Sequence, residues 1–286
     1  MSLRVRPFAQ VDVFSDTPFL GNPVAVILDG SGLSDEQMQV IARWTNLSET
    51  TFVLPATTPD ADYRLRIFTP GGELPFAGHP TLGSAHAWLQ HSGRTDHGGR
   101  IVQECAAGLV ALRVDQSPEG CAVLSFEAPP TVRTGPLEPE LLERTVAALG
   151  VELDDVVAHQ WVDNGPGWIA VQLGSAAQVL QLRPRFEDPT DLMVGVVGAY
   201  PEGGPADFEL RAFAPKAGVF EDPVTGSLNA SVAQWLVRTG VVSGGYVASQ
   251  GTAMGRAGRI TVTTTESGAV WIGGATVTCI DGTITA

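Results

Sequence analysis

Three ionisable side chains stand in sequence contexts where a protein could use them for proton transfer. Glu49 lies in TNLSETTFVLP, between a predicted helix end and a predicted strand start, which is a common place for functional side chains. His79 and Asp222 each stand directly before a proline, in the segments GHPT and EDPVTGS. A carboxylate facing a histidine and an aspartate has the composition of a general acid/base site. We therefore take these three residues as candidate catalytic residues.

The contexts of His79 and Asp222 belong to a repeated segment. DYRLRIFTPGGELPFAGHPTLGSAHAWL begins at Asp62, and DFELRAFAPKAGVFEDPVTGSLNASVAQWL begins at Asp207, about 145 residues later. Both segments contain Leu-Arg, a polar residue before proline, Gly-Ser and a final Trp-Leu, in the same order. The repeat predicts two duplicated domains and places His79 and Asp222 at matching positions.

The two halves differ at the position of Glu49, because the matching residue falls near Met193, which is not acidic. We therefore expect a shared scaffold with unequal chemistry. The proline-rich segment at 127–140 is the predicted junction. We predict domains at 1–130 and 131–286, and we allow that the last strand crosses back to the first domain.

A helix is predicted after each repeated proline, over Thr81–Leu89 and Thr225–Leu236. Both segments are small or apolar nearly all round, which is typical of buried helices. Each domain is therefore predicted to be a curved, mostly antiparallel sheet wrapped around one central helix, in the α+β class. A plain two-layer α/β arrangement is the alternative. Proline is expected at the first helical position, with Asp222 as a good N-cap and His79 as a poorer one.

The start of a buried helix is a plausible place for a small anionic ligand. Its first turn has backbone N–H groups without intrahelical partners and the positive end of the helix dipole. Glycine in that turn leaves the amides accessible, and a carboxylate binds well there. Two such starts would hold a small acidic substrate.

Composition excludes several other classes of protein. The 286 residues include 17 lysines and arginines and 31 aspartates and glutamates, for a formal net charge of −14. Nucleic acid and anionic membranes need a basic surface, so neither is expected as a main partner. The sequence has no signal-like segment and no long apolar run, and we expect a cytoplasmic protein. Cys105, Cys121 and Cys279 are odd in number and widely spaced, so we expect no metal site and no disulfide framework.

Three motifs, in this order, resemble the PhzF-like (phenazine biosynthesis) family: NLSETTF at 46–52, FAGHPTLG at 76–83 and EDPVTGS at 221–227. The N-terminal segment VDVFSDTPFLGNPVAVIL is also similar, so the resemblance covers essentially the whole chain. It implies the diaminopimelate-epimerase-like fold, in which two pseudo-symmetric domains each wrap a sheet around a central helix. In that fold the active site lies in the cleft between the domains.

The resemblance also implies an activity. The family's namesake isomerises trans-2,3-dihydro-3-hydroxyanthranilate by moving a proton and needs no cofactor. By this resemblance Glu49 corresponds to the general acid/base, and His79 and Asp222 assist it. We therefore expect a cofactor-independent isomerase that acts on a small, cyclic carboxylate. A homodimer is implied by the resemblance alone.

The resemblance assigns substrate binding as well. Ser227 and the amides of Gly78 and Gly226 would hold the substrate carboxylate, and helix-start amides can stabilise the negative charge that follows proton removal. Two alternatives stay open. One is an epimerase or racemase of an amino or hydroxy acid, although the cysteines lie far from both helix motifs and a two-thiol mechanism is disfavoured. The other is a non-catalytic protein that binds a small molecule.

Overall fold

The computed structural model describes residues 3–94, 98–116, 122–187 and 190–286. The chain forms two compact units. The first unit comprises Met1–Glu127 with Gly273–Ala286, and the second comprises Ala128–Ile272. Within the described ranges, no helix is long and apolar enough to cross a membrane.

The first unit contains helices α1 (Asp35–Thr45) and α2 (Gly78–Ser92). Its strands are β1 (Val5–Val13), β2 (Asn22–Ile27), β3 (Glu49–Leu54), β4 (Tyr63–Phe68), β5 (Glu73–Leu74), β6 (Arg100–Cys105), β7 (Gly108–Gln116) and β8 (Ala122–Glu127). The long last strand, β17 (Val270–Thr285), runs from the second unit into the first.

The second unit contains helices α3 (Pro139–Leu149), α4 (Ala176–Gln181) and α5 (Gly226–Arg238). Its other strands are β9 (Arg133–Gly135), β10 (Val156–Asp163), β11 (Ile169–Leu173), β12 (Val194–Ala199), β13 (Phe208–Ala214), β14 (Val219–Asp222), β15 (Tyr246–Gln250) and β16 (Gly258–Thr264). Short 3-10 turns occur at Leu153–Asp155, Pro215–Ala217 and Thr252–Met254.

Strand pairing in the first unit forms a closed ring. Going round from β17, the order is β1, β2, β3, β4, β6, β7 and β8, and β8 pairs again with β17. The pairs β2–β3 and β4–β6 are parallel. The other pairs from β17 round to β8 are antiparallel. A sheet that closes on itself has no free edge and encloses its inward side chains.

Strand pairing in the second unit repeats this order. The pairs β10–β11, β12–β13 and β15–β16 are antiparallel, and the pairs β11–β12 and β13–β15 are parallel. They correspond one by one to the run from β1 to β7 in the first unit, with α4 in the place of α1 and α5 in the place of α2. The structure therefore confirms the predicted α+β fold of duplicated, mostly antiparallel units.

Each unit is packed around one apolar helix. In the first unit α2 packs against strands β1, β2, β3 and β8 and is buried over most of its length. Gly83 is necessary there, because a Cβ at this position would lie 2.4 Å from Cγ1 of Val24. In the second unit the small residue lies on the sheet instead: a Cβ at Gly195 of β12 would lie 2.4 Å from Cδ1 of Leu228 in α5. Both contacts let helix and sheet approach closely.

Helix α1 has the capping box that its sequence predicts. Ser34 accepts a hydrogen bond from the backbone N–H of Gln37, whose side chain accepts one from the backbone N–H of Ser34. The helix ends at Asn46, which is in the left-handed conformation at φ 54°. This sharp end turns the chain into β3, whose first residue is Glu49.

The predicted start of α2 is wrong. The helix begins at Gly78, and Ala77 is its N-cap, with no side-chain cap hydrogen bond. His79 is therefore the second helical residue and not a cap, and Pro80 is the third. Proline is tolerated there because N–H groups of the first turn have no intrahelical acceptor.

The predicted caps of α5 are wrong as well. Thr225 is the N-cap residue and Gly226 the first helical residue, so Pro223 precedes the helix. Asp222 is the last residue of β14, where it pairs with Ala212 of β13. Asp222 therefore stands in the strand, three residues before the N-cap residue.

Candidate active site

Glu49 and His79 are in contact within the first unit. Parallel pairing of β2 and β3 sets Glu49 opposite Val24, and His79 projects from the first turn of α2. Oε2 of Glu49 lies 3.2 Å from Nε2 of His79, and their side chains are 14% and 6% exposed. The contact is within ion-pair distance but lacks the alignment of a hydrogen bond. A mostly buried carboxylate beside an imidazole is suited to proton transfer.

His79 is neutral at physiological pH. Burial lowers its pKa to about 3, against a smaller opposing effect of hydrogen bonding to the backbone of Pro23. Nδ2 of Asn22 lies 3.4 Å from Nδ1 of His79. Proline has no N–H, so the hydrogen bond with Pro23 is donated by the imidazole to the Pro23 carbonyl. Neutral His79 therefore lies beside Glu49 without bringing a second charge.

Asn22 is a site residue that the sequence reasoning missed. It begins β2 and is fully buried. The preceding Gly21 donates its backbone N–H to Oδ2 of Asp12 at 3.1 Å, and a Cβ at Gly21 would lie 2.5 Å from the carbonyl oxygen of Val13. Only glycine allows this approach, which holds Asn22 beside His79. The signal was present in the motif GNPV, which belongs to the N-terminal segment that contributes to the family resemblance.

The first turn of α2 supplies backbone donors. The first intrahelical hydrogen bond runs from the N–H of Thr81 to the carbonyl of Ala77. The N–H groups of Gly78 and His79 precede it and have no intrahelical acceptor, and Pro80 has no N–H at all. This turn therefore has two amides that can receive an anion.

In the second unit, Asp222 is bound to the start of α5. The hydroxyl of Thr225 donates to Oδ2 of Asp222 at 2.5 Å. The side chain of Gln250 donates to the backbone carbonyl of Asp222 at 3.0 Å. These contacts fix both the backbone and the carboxylate of Asp222.

Ser227 is the second residue of α5, directly after Gly226. Its Oγ accepts a hydrogen bond from Nε1 of Trp168 at 3.0 Å. Because an indole N–H can only donate, the hydroxyl hydrogen of Ser227 is directed towards another acceptor. Asn164 donates to the carbonyl of Ser227 at 2.9 Å and fixes the same residue from its backbone.

The structure thus groups Glu49, His79 and Gly78 in the first unit, and Asp222, Gly226 and Ser227 in the second. The predicted match of His79 with Asp222 is wrong. Counted from the first helical residue, His79 of α2 corresponds to Ser227 of α5.

Strand pairing identifies the residue of the second unit that matches Glu49. Val24 lies opposite Glu49 in the first unit, and Ile169 lies opposite Val194 in the second. The counterpart is therefore Val194, which is next to Met193 as expected. The absence of an acidic residue at that position of the second unit agrees with the expectation.

The described cysteines are not part of either group. Cys105 ends β6, donates to the carbonyl of Gly108, and has its pKa raised by burial. Cys279 is half-buried in β17, and Cys121 lies outside the described residues. Within the described part of the chain, no three His, Cys, Asp or Glu side chains are arranged to hold a metal ion.

Comparison with known proteins gives consistent matches over nearly the whole chain. A family model described as phenazine biosynthesis-like protein, PhzC-PhzF, matches residues 11–282. Antisense-enhancing sequence 1 of Schizosaccharomyces pombe is 41% identical, over 96% of this chain and 97% of the relative. Trans-2,3-dihydro-3-hydroxyanthranilate isomerase of Pseudomonas chlororaphis is 37% identical, over 86% of each chain.

A solved structure shows the same fold. The crystal structure of a PhzF-family phenazine biosynthesis protein from Bacillus anthracis matches with a TM-score of 0.81 and 22% identity. The match covers 98% of this chain and 99% of the other. At that identity the likeness concerns the fold, and it agrees with the strand order described above.

Proposed function

Because the chain belongs to the phenazine biosynthesis-like family, we propose that it is an isomerase that relocates a proton on a small, cyclic carboxylate. The reaction would resemble the one named for its Pseudomonas chlororaphis relative, the isomerisation of trans-2,3-dihydro-3-hydroxyanthranilate. The observation that carries the proposal is the contact of Glu49 with neutral His79 in a mostly buried position.

Glu49 is the proposed general acid/base. Its carboxylate takes a proton from one carbon of the substrate, the electron pair of that C–H bond moves through the conjugated ring, and the proton is returned to another carbon. Substrate and product have the same atoms and electrons, so the step needs no redox partner and no cofactor. His79, neutral and buried, packs against this carboxylate and brings no second charge to it.

The helix starts are the proposed binding groups. The amides of Gly78 and Gly226 and the hydroxyl of Ser227 would receive the substrate carboxylate. Negative charge that develops after proton removal is stabilised by the same donors. Asp222, fixed by Thr225, would accept a hydrogen bond from a polar substituent of the substrate and assist Glu49. We also propose that the protein is cytoplasmic and that it forms a homodimer. Light scattering of the purified protein tests the homodimer.

The proposed function is tested with trans-2,3-dihydro-3-hydroxyanthranilate in heavy water. The wild-type protein is expected to convert this compound and to place solvent deuterium in part of the product. Glu49→Gln keeps the shape of the side chain and removes the base, so conversion should fall by about 100-fold or more. Glu127→Gln, at an exposed glutamate of β8, is the matched control and should retain full activity.

Two results would contradict the proposal. One is conversion by Glu49→Gln at a rate within twofold of wild type. The other is a wild-type protein that binds cyclic carboxylic acids in a thermal-shift panel but exchanges no proton on any of them. The second result would favour the non-catalytic binding protein.

A further inference from the structure

Gln250 is a buried polar residue whose hydrogen-bonding capacity is fully used beside Asp222. It ends β15 and is 0% exposed. Its Oε1 accepts from the backbone N–H of Thr225 at 3.0 Å and from Nδ2 of Asn229 at 2.8 Å. Its Nε2 donates to the carbonyl of Asp222 at 3.0 Å and to Oγ1 of Thr225 at 2.9 Å. An amide has two acceptor positions and two donor hydrogens, and all four are engaged here.

This arrangement decides the direction in which the hydroxyl of Thr225 points. A hydroxyl has one hydrogen, and the N–H of Gln250 already occupies a lone pair of Oγ1. The hydroxyl hydrogen therefore cannot point at Gln250. It points at Oδ2 of Asp222, only 2.5 Å away. The result is a directed chain of hydrogen bonds from Gln250 through Thr225 to Asp222.

The surroundings leave this chain little freedom to move. Gly251 follows Gln250 at φ 88°, and a Cβ there would lie 2.7 Å from the carbonyl oxygen of Pro223. A Cβ at Gly258 would lie 2.5 Å from Cγ2 of Val224. The turn between β15 and β16 is thus in close backbone contact with the segment that leads from Asp222 into α5. Close packing of this kind transmits the position of Gln250 to Asp222.

We propose that Gln250 is a positioning residue, which acts through Thr225 to hold the carboxylate of Asp222 in its working orientation. The proposal rests on the proposed function, because it assumes that Asp222 takes part in the reaction. It assigns Gln250 no contact with substrate.

The first unit contains a matched control. Gln103 of β6 is also 0% exposed. It donates to Oγ1 of Thr81 in α2 at 3.1 Å and accepts from the hydroxyl of Tyr63 at 3.2 Å. This pair repeats a buried glutamine bound to a helix threonine, but neither residue belongs to the proposed site.

The central variant is Gln250→Glu, which keeps the shape and the acceptor but replaces the two donor hydrogens by a second acceptor. The hydroxyl of Thr225 can then donate to the new carboxylate and release Asp222. With trans-2,3-dihydro-3-hydroxyanthranilate as the probe, we expect kcat to fall by about 10- to 100-fold while KM changes less. Gln103→Glu should lower the melting temperature to a similar degree but change kcat less than twofold.

A second variant tests the route through Thr225 and replaces the first if Gln250→Glu does not fold. Thr225→Val is isosteric and removes only the hydroxyl, so kcat should fall as in Gln250→Glu. The double variant should be no slower than the slower single variant, because both changes break the same chain. Multiplying effects in the double variant, or an equal loss of kcat in Gln103→Glu, would overturn the proposal.

Failure of the proposed function is recognised separately. If the wild-type protein does not convert the probe, the proposed function fails for that substrate, and crystal structures test the positioning role without turnover. In Gln250→Glu the carboxylate of Asp222 should turn away from Thr225, and in Gln103→Glu it should stay. An unchanged Asp222–Thr225 hydrogen bond in Gln250→Glu refutes the inference.

Discussion

Asp62 and Asp207 perform the same structural task in the two units. Oδ2 of Asp62 accepts from the backbone N–H of Val102, and Oδ2 of Asp207 accepts from that of Val247, each at 2.7 Å. In both units the aspartate precedes a strand and fixes the start of its parallel neighbour. This shared contact explains why the repeated segment begins with aspartate.

The repeated Leu-Arg has an equally matched explanation. Arg66 binds Glu73 with two nitrogens, at 2.7 and 2.6 Å, and Arg211 binds Glu221 in the same way at 2.9 and 2.7 Å. The two pairs differ in burial. Arg211 and Glu221 have side chains only 5% and 9% exposed, whereas those of Arg66 and Glu73 are 16% and 35% exposed.

The helix starts differ where the scaffold does not. The second helical residue is His79 in α2 and Ser227 in α5. In each unit it interacts with a residue near the start of the matching strand, β2 or β11. His79 interacts with the backbone of Pro23, and Ser227 with the indole of Trp168. The two units therefore share the contacts of the repeated aspartate and arginine, while the second residue of the buried helix differs between them.

The largest expected difference between the units concerns their arginine pairs. Arg211→Met leaves Glu221 as a buried, unpaired charge, so unfolding free energy should fall by about 3–5 kcal/mol. Arg66→Met disrupts a more exposed pair and should cost about 1 kcal/mol or less. Urea denaturation of both variants measures the difference. Equal losses would show that burial does not distinguish the two pairs.

A smaller expected difference between the units concerns the stability that is lost at acidic pH. Burial lowers the pKa of His79 to about 3 and that of His86 to about 4, and both residues lie in α2. Each histidine stays neutral in the folded state, while the unfolded chain takes up a proton below about pH 6.5. Their stabilising contribution is thus present above that pH and is lost as the pH falls towards 4 and 3. At pH 5 the loss should reach at most about 2 kcal/mol per histidine.

Hydrogen exchange measures this effect helix by helix. Amides of α2 should lose more protection than those of α5 between pH 7 and pH 5, after correction for intrinsic exchange rates. His86, whose ring nitrogens contact Thr276 and Thr278 at 2.8 and 3.0 Å, allows a control outside the site. His86→Gln should reduce the difference between the helices, and an unchanged difference would assign the acid sensitivity to other groups.

Most of the fold could be predicted from the sequence, because the patterns that indicate it are either local or repeated in both halves. The capping box of α1 is local, and the small residues around Gly83 predict a buried helix by composition alone. The repeat revealed the duplication, since Asp62 and Asp207 keep the same contact in both units.

The residue at which each buried helix begins could not be predicted from the sequence. The Gly-Ser pair lies inside α2 at Gly83 but at the start of α5 at Gly226. An alignment of the two segments on this pair therefore matched His79 with Asp222 incorrectly. Turn lengths before the helices differ, and only strand pairing shows this. Gln250 was also missed, because its partners Asp222 and Thr225 lie more than 20 residues away in sequence and meet it only through the parallel pairing of β13 with β15.

The central claim is that Glu49 carries the acid/base chemistry and that Ser227 binds the substrate. Steady-state kinetics of Glu49→Gln and Ser227→Ala on trans-2,3-dihydro-3-hydroxyanthranilate test it most directly. The account predicts that Glu49→Gln abolishes kcat and the incorporation of deuterium from heavy water. Ser227→Ala should raise KM about tenfold and leave deuterium incorporation in place. Loss of deuterium incorporation in Ser227→Ala together with its retention in Glu49→Gln would contradict the account.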